Sequence, residues 1–189
     1  MKTIKASKEN FKETTAALKN GAVLVLPTDT VYGLVCDAAN EKAVEKIFEI
    51  KKRDKQKPLA VFVKDLEMAK KYAVITKDQK ELLNKSWPGA VTFVLEAKSG
   101  LASLVYKNKT IAMRIPDFGL IRKIFKEFEN PLAQTSANIS ARPATIKIKK
   151  VLEQFRSEDV LIVDADDLPK NKPSVIIDLT KNKINIIRP

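Results

Sequence analysis

Histidine is absent from all 189 residues, and cysteine occurs once, at Cys36. The first absence removes the commonest general base at neutral pH, and with it serine–histidine and cysteine–histidine nucleophilic chemistry. Together the two exclude an internal disulfide and the usual zinc sites. Glycine is scarce, with 5 residues, and no G-x-x-x-x-G-K-[ST] run occurs, so any phosphate is held without a Walker loop. Aromatic residues make up 6 % of the chain and form no cluster that suggests base stacking. No run approaches the ~18 uncharged apolar residues of a membrane helix. Met1-Lys2-Thr3-Ile4-Lys5 lacks the apolar stretch of a signal peptide. The expected location is therefore cytoplasmic, with no membrane partner.

What is abundant is positive charge: 35 Lys and Arg against 23 Asp and Glu, a net +12. Such an excess favours an anionic partner such as nucleic acid, nucleotide or phosphate, although a lysine-rich surface alone gives the same count. With 44 % apolar and 31 % charged residues, the composition is that of a globular protein. The chain has no internal repeat, and its Gly and Pro gather into no linker, so one domain over residues 1–189 is expected.

Hydrophobic periodicity and cap signals predict mixed helices and strands along the whole length. Ser7 is placed to cap a helix ending at Asn20-Gly21, followed by a buried strand at Ala22–Leu26. Asn40 caps a second helix that ends near Arg53, before a strand at Leu59–Val63. Helices are predicted near 65–73, 77–86, 118–128 and 146–156, the second opened by a Thr76/Gln79 capping box. Strands are predicted at 91–95, 111–115, 132–135, 160–163, 175–177 and 184–187. Such interleaving defines an α/β (α+β) class built on a single mixed sheet.

Three segments could carry chemistry. Pro27-Thr28-Asp29-Thr30-Val31-Tyr32-Gly33-Leu34 leaves a buried strand through hydroxyl and carboxylate groups, where open sheets gather ligands, though alone it reads more readily as a turn. Lys51-Lys52-Arg53-Asp54-Lys55-Gln56-Lys57-Pro58 sets five cations against one acid at a helix C-terminus. That is either a phosphate clamp or a solvated face complementing the helix dipole. Pro131–Ser140 runs a short strand into Thr135, Ser136, Asn138 and Ser140, an anion-presenting loop or an Asn turn. In Met113-Arg114-Ile115-Pro116 an arginine flanked by apolar residues implies an inward charge that needs a partner.

In order and in register, these segments, with W-P-G-A-V-T-F-V-L, S-V-I-I-D and the final I-I-R-P, resemble the YrdC family of threonylcarbamoyl-adenylate synthases over nearly the whole chain. The resemblance implies a twisted sheet with flanking helices and a large, basic, concave cavity. It implies the activity of an L-threonylcarbamoyladenylate synthase, a nucleotidyltransferase that makes threonylcarbamoyl-AMP and pyrophosphate from L-threonine, bicarbonate or CO2, and ATP. Mg2+ would accompany ATP, with no protein-bound transition metal. The partners it implies are the tRNA threonylcarbamoyl-transferase machinery as acceptor of the product and tRNA itself.

Residue by residue, Lys51, Arg53, Ser136 and Asn138 match the family's K-x-R and S-x-N pairs and are expected to be catalytic. Arg53, Lys57, Thr110, Asn138 and Arg188 are expected at ATP. Thr30, Arg114, Ser136 and Ser174 are expected at threonine. Three departures stand out. Phe62 replaces a frequent histidine, Ala141, Arg142 and Ala144 stand where relatives usually have Gly, Pro and a small hydroxyl residue, and the usual Gly after the terminal R-P is missing. Two other readings are a double-stranded RNA or tRNA-binding module without catalysis, and a related carbamoyl-adenylate step of hydrogenase maturation. The second belongs to longer proteins with cysteine-rich zinc modules, which a single cysteine disfavours.

Overall fold

Leu24, Val25 and Leu26 have no exposed surface at all, the signature of a strand covered on both faces. In the computed structural model, which describes residues 1–181 and 184–189, that run is the second strand of a mixed sheet. The strands are β1 (Lys2–Lys5), β2 (Leu24–Leu26), β3 (Gly33–Asp37), β4 (Ala60–Phe62), β5 (Ala73–Val74), β6 (Val91–Ala97), β7 (Tyr106–Lys107), β8 (Thr110–Arg114), β9 (Leu132–Ser136), β10 (Leu161–Asp164), β11 (Val175–Asp178) and β12 (Asn185–Arg188). The helices are α1 (Phe11–Lys19), α2 (Glu41–Lys51), α3 (Leu66–Tyr72), α4 (Lys77–Ser86), α5 (Gly119–Glu127) and α6 (Ile148–Phe155). The sheet runs β1-β10-β2-β3-β9-β4-β8-β6-β11-β12, with β5 paired to β6 and β7 to β8. Parallel pairs (β1·β10, β10·β2, β4·β8, β11·β6) mix with antiparallel ones such as β2·β3 and β3·β9, as the α/β reading requires.

The helices follow local rules. On α2, Ala43, Val44, Ile47, Phe48 and Ile50 form one buried stripe, and the Asn40 side chain accepts from the Ala43 N–H at 3.1 Å. A cap of that kind contributes about 1 kcal/mol. The helix stops at Lys52, whose φ of 52° is left-handed. At α4 the predicted box is present: Thr76 Oγ1 accepts from Gln79 N, and Gln79 Oε1 accepts from Thr76 N. The first helix corrects the cap assignment. Asn10, not Ser7, is its N-cap, because Ser7 Oγ accepts from the Asn10 N–H at 3.3 Å and so closes the turn that precedes the helix.

Four strands, β1, β3 and the two-residue β5 and β7, were not anticipated from the sequence. In β1 the pattern is exposed except for half-buried Ile4, which leaves no apolar alternation to read. In β3 the opposite holds, since Gly33, Leu34, Val35 and Cys36 are all buried and a continuous run has no period.

Candidate active site

Strand periodicity places the site. On β8, Ile111 and Met113 point into the core, while Ala112 and Arg114 face a cavity of about 270 Å³ on the other side of the sheet. Gln134 and Ser136 of β9, Thr92 of β6, Ile176 of β11 and Arg188 of β12 reach the same space, as do Thr28 and Thr30 from the loop between β2 and β3. Of the expected residues, Thr30, Arg53, Arg114, Ser136, Ser174 and Arg188 line this cavity. Lys51, Lys57, Thr110 and Asn138 are not among its lining. Thr110 shares the face of Ala112 and Arg114 further along β8, its hydroxyl donating to Lys107 O, and Lys57 is exposed at the rim of the Arg53 loop. A larger hollow of about 640 Å³, beside Phe11, Pro27 and Phe118, contains none of the expected residues.

Lys51 explains why the Ser136–Ser140 loop has a fixed shape. The lysine is buried, and its Nζ donates to Ser136 O (2.7 Å), Asn138 O (2.7 Å) and Asn138 Oδ1 (2.8 Å). Burial, helped by the charge of Arg53, pulls its pKa down to about 7. Three acceptors oppose that pull, since a neutral amine has hydrogens for two of them. Asn138 also accepts from Ser136 Oγ at 2.6 Å and donates through Nδ2 to Ile139 O and Arg142 O. Both side chains are thus engaged in building the loop, and Ser136 is the member of this group that reaches the cavity. The loop closes through Ala141, held at a left-handed φ of 68°.

Two of the cavity arginines, Arg53 and Arg188, are tethered without carboxylates. Arg53 donates from Nε to Lys57 O (2.7 Å) and from Nη2 to Pro58 O (3.1 Å). One edge of the fork is thereby fixed, and the Nη1/Nη2 edge keeps its donors. Arg188 donates from Nε and Nη2 to Ser174 O at 2.9 and 2.7 Å, with a further bond to Ser174 Oγ. Ser174 Oγ lies 2.9 Å from Thr92 Oγ1, which ties β11 to β6 inside the cavity.

Arg114 is held differently. It is 2 % exposed, donates from Nε to Gly89 O at 2.7 Å, pairs through Nη2 with Asp29 Oδ2, and lies over the Phe62 ring at 5.7 Å. Desolvation pulls its pKa below the ordinary guanidinium value, and Asp29 pushes it back. Phe62, at the position where a histidine was noted as missing, therefore packs against the arginine through its register with it on β4 and β8. Gly89 is needed where it is, because a Cβ there would meet Ser86 O at 2.7 Å. Nearby, Thr28 Oγ1 donates to Val31 O (2.7 Å), so its contact with Thr30 Oγ1 (3.0 Å) is donated by Thr30. Thr30 is left facing the cavity with lone pairs, an acceptor for an ammonium or hydroxyl group.

Sequence reasoning had not singled out Thr28, Thr92 or Gln134 as site residues, nor Asp29 as the partner of Arg114. The available signal was position: Thr28, Asp29 and Gln134 lie within two residues of one that was singled out, and Thr92 lies inside the quoted W-P-G-A-V-T-F-V-L segment. No carboxylate lines the cavity among the described residues, which bring three arginines and several hydroxyls to one face of the sheet.

The mixed α/β sheet is the architecture of the solved Sua5 and YciO structures. The model of the Sua5/YciO/YrdC family, described as telomere recombination, matches residues 16–189, and the chain belongs to that family. It is 31 % identical over 180 residues to the threonylcarbamoyl-AMP synthase of Vibrio campbellii, covering 93 % of this chain and 97 % of that one. With the threonylcarbamoyl-AMP synthase of Vibrio vulnificus it shares 33 % identity, over 89 % of this chain and 93 % of the other. Among solved structures, Pyrococcus abyssi Sua5 complexed with L-threonine superposes with a TM-score of 0.90 at 29 % identity. All of this chain is covered there, but it spans only 56 % of the Pyrococcus chain.

Proposed function

We propose that this protein is an L-threonylcarbamoyladenylate synthase, forming threonylcarbamoyl-AMP and pyrophosphate from L-threonine, bicarbonate or CO2, and ATP for the threonylcarbamoyladenosine modification of tRNA. The observation that carries the reading is the cavity itself: arginines and hydroxyls without a facing carboxylate, in a chain aligned almost end to end with relatives of that name. The threonine ammonium loses one proton to solvent, and the amine adds to the carbon of CO2 with loss of a second proton to solvent. The resulting carbamate oxygen attacks the α-phosphorus of ATP as the bond to pyrophosphate breaks. Every reactant after the first step is an anion, so the work is positioning and charge neutralisation, which needs no histidine.

Arg114 offers its open edge to the threonine carboxylate and Thr30 its lone pairs to the amine, with Ser174 closing that end. Arg53 and Arg188 take the phosphates. Ser136 stands at the carbamate–phosphate junction, on the loop that Lys51 and Asn138 hold in shape. A cavity of about 270 Å³ lies at the lower end of the ~300–1,000 Å³ of ligand pockets. It suits the amino acid and the reacting phosphate, with the rest of ATP lying along the sheet face toward Thr110 and Lys57. Magnesium arrives with the triphosphate: the lining supplies hydroxyls and the Gln134 amide but no carboxylate cage, which fits an ion held by phosphate and water. The product passes to the tRNA-modifying transferase machinery, and the net +12 would draw tRNA toward this chain.

The test is pyrophosphate release from ATP by the purified protein. Release that requires threonine and bicarbonate together is expected. Equal release without an amino acid, or none from folded protein, overturns the assignment.

A further inference from the structure

Asp29 is a carboxylate the reaction does not call for. It sits on the loop between β2 and β3, and its Oδ2 accepts both from Arg114 Nη2 and from the Asp117 N–H (3.1 Å). Its backbone carbonyl accepts from Asn171 Nδ2 at 2.9 Å, next to Pro173 and Ser174 of the cavity wall. The second oxygen, Oδ1, is buried and has no hydrogen-bond partner among the described residues. A buried carboxylate oxygen without a donor is costly, so stability alone does not explain the residue. Nor is Asp29 in the cavity lining, and its Oδ1 is sealed from solvent.

Its effect passes through Arg114. Gly89 O at Nε and Asp29 at Nη2 occupy one edge of the guanidinium, and Phe62 fixes its plane. Nη1 and the second Nη2 hydrogen have no protein acceptor among the described residues and form the edge that meets the cavity. Asp29 also cancels the arginine's charge, whereas Arg53 and Arg188 rest on carbonyls and keep theirs whole.

We propose that Asp29 is a positioning and specificity residue: it aims the free edge of Arg114 into the cavity and neutralises it, so that this end takes a carboxylate borne on a zwitterion and discriminates against phosphate. The inference rests on the synthase reading above. A neutral, rigid fork keeps its geometric match to a carboxylate but loses the long-range pull that would bring ATP or pyrophosphate to the wrong end. Selectivity here comes from a charge set behind the contact, not from an added contact.

Asp29→Ala and Asp29→Asn test it in the full chain, with threonine and ATP varied separately, threonine binding followed by calorimetry, and L-threoninamide as the ligand lacking a carboxylate. In Asp29→Ala the threonine KM should rise roughly tenfold or more with the ATP KM within about twofold, and the preference for threonine over threoninamide should collapse. Asp29→Asn keeps an acceptor for Nη2 and should hold threonine within about fivefold. Its arginine is no longer neutralised, so pyrophosphate should compete with threonine roughly fivefold more tightly than in wild type. A mere structural role would lower the melting temperature, shift both KM values alike and leave the threonine-to-threoninamide ratio untouched; that outcome overturns the proposal. If Asp29→Ala fails to fold, unchanged pyrophosphate competition in Asp29→Asn overturns it equally. A wild type that binds threonine but releases no pyrophosphate would overturn the synthase reading instead, leaving the binding ratios to judge Asp29.

Discussion

On the cavity face Arg114 lies against a carboxylate and an aromatic ring, whereas Arg53 and Arg188 lie against main-chain carbonyls. All are positioned by hydrogen bonds, but a carbonyl orients a guanidinium without cancelling its charge, whereas Asp29 does both. The difference maps onto the two substrates. An amino acid is a zwitterion and needs a geometric fork more than net charge, while a triphosphate needs uncompensated charge as well as a fork. The arginines also differ in their footing: Arg114 and Arg188 stand on regular strands, β8 and β12, and Arg53 on the helix–loop junction after α2, beside the Ser136–Ala144 loop that Lys51 holds.

The sharpest way to break this comparison is Arg114→Ala. Two charge-assisted hydrogen bonds to the threonine carboxylate, at ~1.5–3 kcal/mol each, imply a loss of threonine affinity on the order of a hundredfold or more. The ATP affinity should change by less than about fivefold, because this arginine contributes little net charge to the far end. Stability should fall as well, since Asp29 is left as a buried carboxylate without its cation, a loss of about 3–5 kcal/mol in comparable buried pairs. Separate titrations of the two substrates, with thermal melts to follow folding, decide it. A larger loss for ATP would mean that the neutralised arginine serves phosphate and that charge balance does not distinguish the ends.

Arg53→Lys probes the other end. A lysine keeps the charge but cannot reach Lys57 O and Pro58 O while presenting a second edge to a ligand. Losing one charge-assisted bond should cost roughly 1.5–3 kcal/mol, or on the order of ten- to a hundredfold in rate or ATP affinity. Lys55→Arg is the internal control, being exposed and outside the K-x-R pattern. Steady-state pyrophosphate release at fixed salt compares them. Equal activity of the two variants would return Arg53 to the solvated charges at the end of α2, where swaps are worth ~0–1 kcal/mol.

The two ends were not equally legible in the sequence. Caps and apolar stripes are local, so Asn40, Thr76 and the helices they open could be read directly, and an arginine between apolar residues in M-R-I-P announced an inward charge in want of a partner. The identity of that partner could not be read, because Asp29 and Arg114 are 85 residues apart and meet only once the sheet is assembled. At the other end, K-x-R and S-x-N were visible as patterns, but which members face the cavity was not. Lys51 and Asn138 turn toward each other, and Arg53 and Ser136 toward the space. That choice depends on helix phase and loop closure at a resolution finer than spacing supplies. The strands β1 and β3 escaped for opposite reasons, one too exposed and one too uniformly buried to show a period.

The smallest expected effect concerns the footing of the phosphate end. Ala141 has a φ of 68°, a left-handed conformation that glycine adopts freely and that alanine adopts against the crowding of its Cβ. The family resemblance leads one to expect glycine at this point of the S-A-N-x-S segment, where Ala141 stands instead. For alanine the left-handed region costs ~1–2 kcal/mol, and the extra freedom of glycine in the unfolded chain returns ~0.5–1 kcal/mol of that. Ala141→Gly should therefore stabilise the protein by about 0.5–1 kcal/mol, a rise of roughly 1–4 °C in melting temperature for a chain of this size. Since Lys51 and Asn138 already define the loop through their own bonds, the ATP KM should move by less than about twofold, and the threonine KM, read at an end that stands on β8, should not move at all. Thermal melts and the two titrations measure all three numbers on one preparation. A lower melting temperature would show that the loop does not hold Ala141 in the left-handed region, and a shift in threonine KM would show that the two ends share a footing after all.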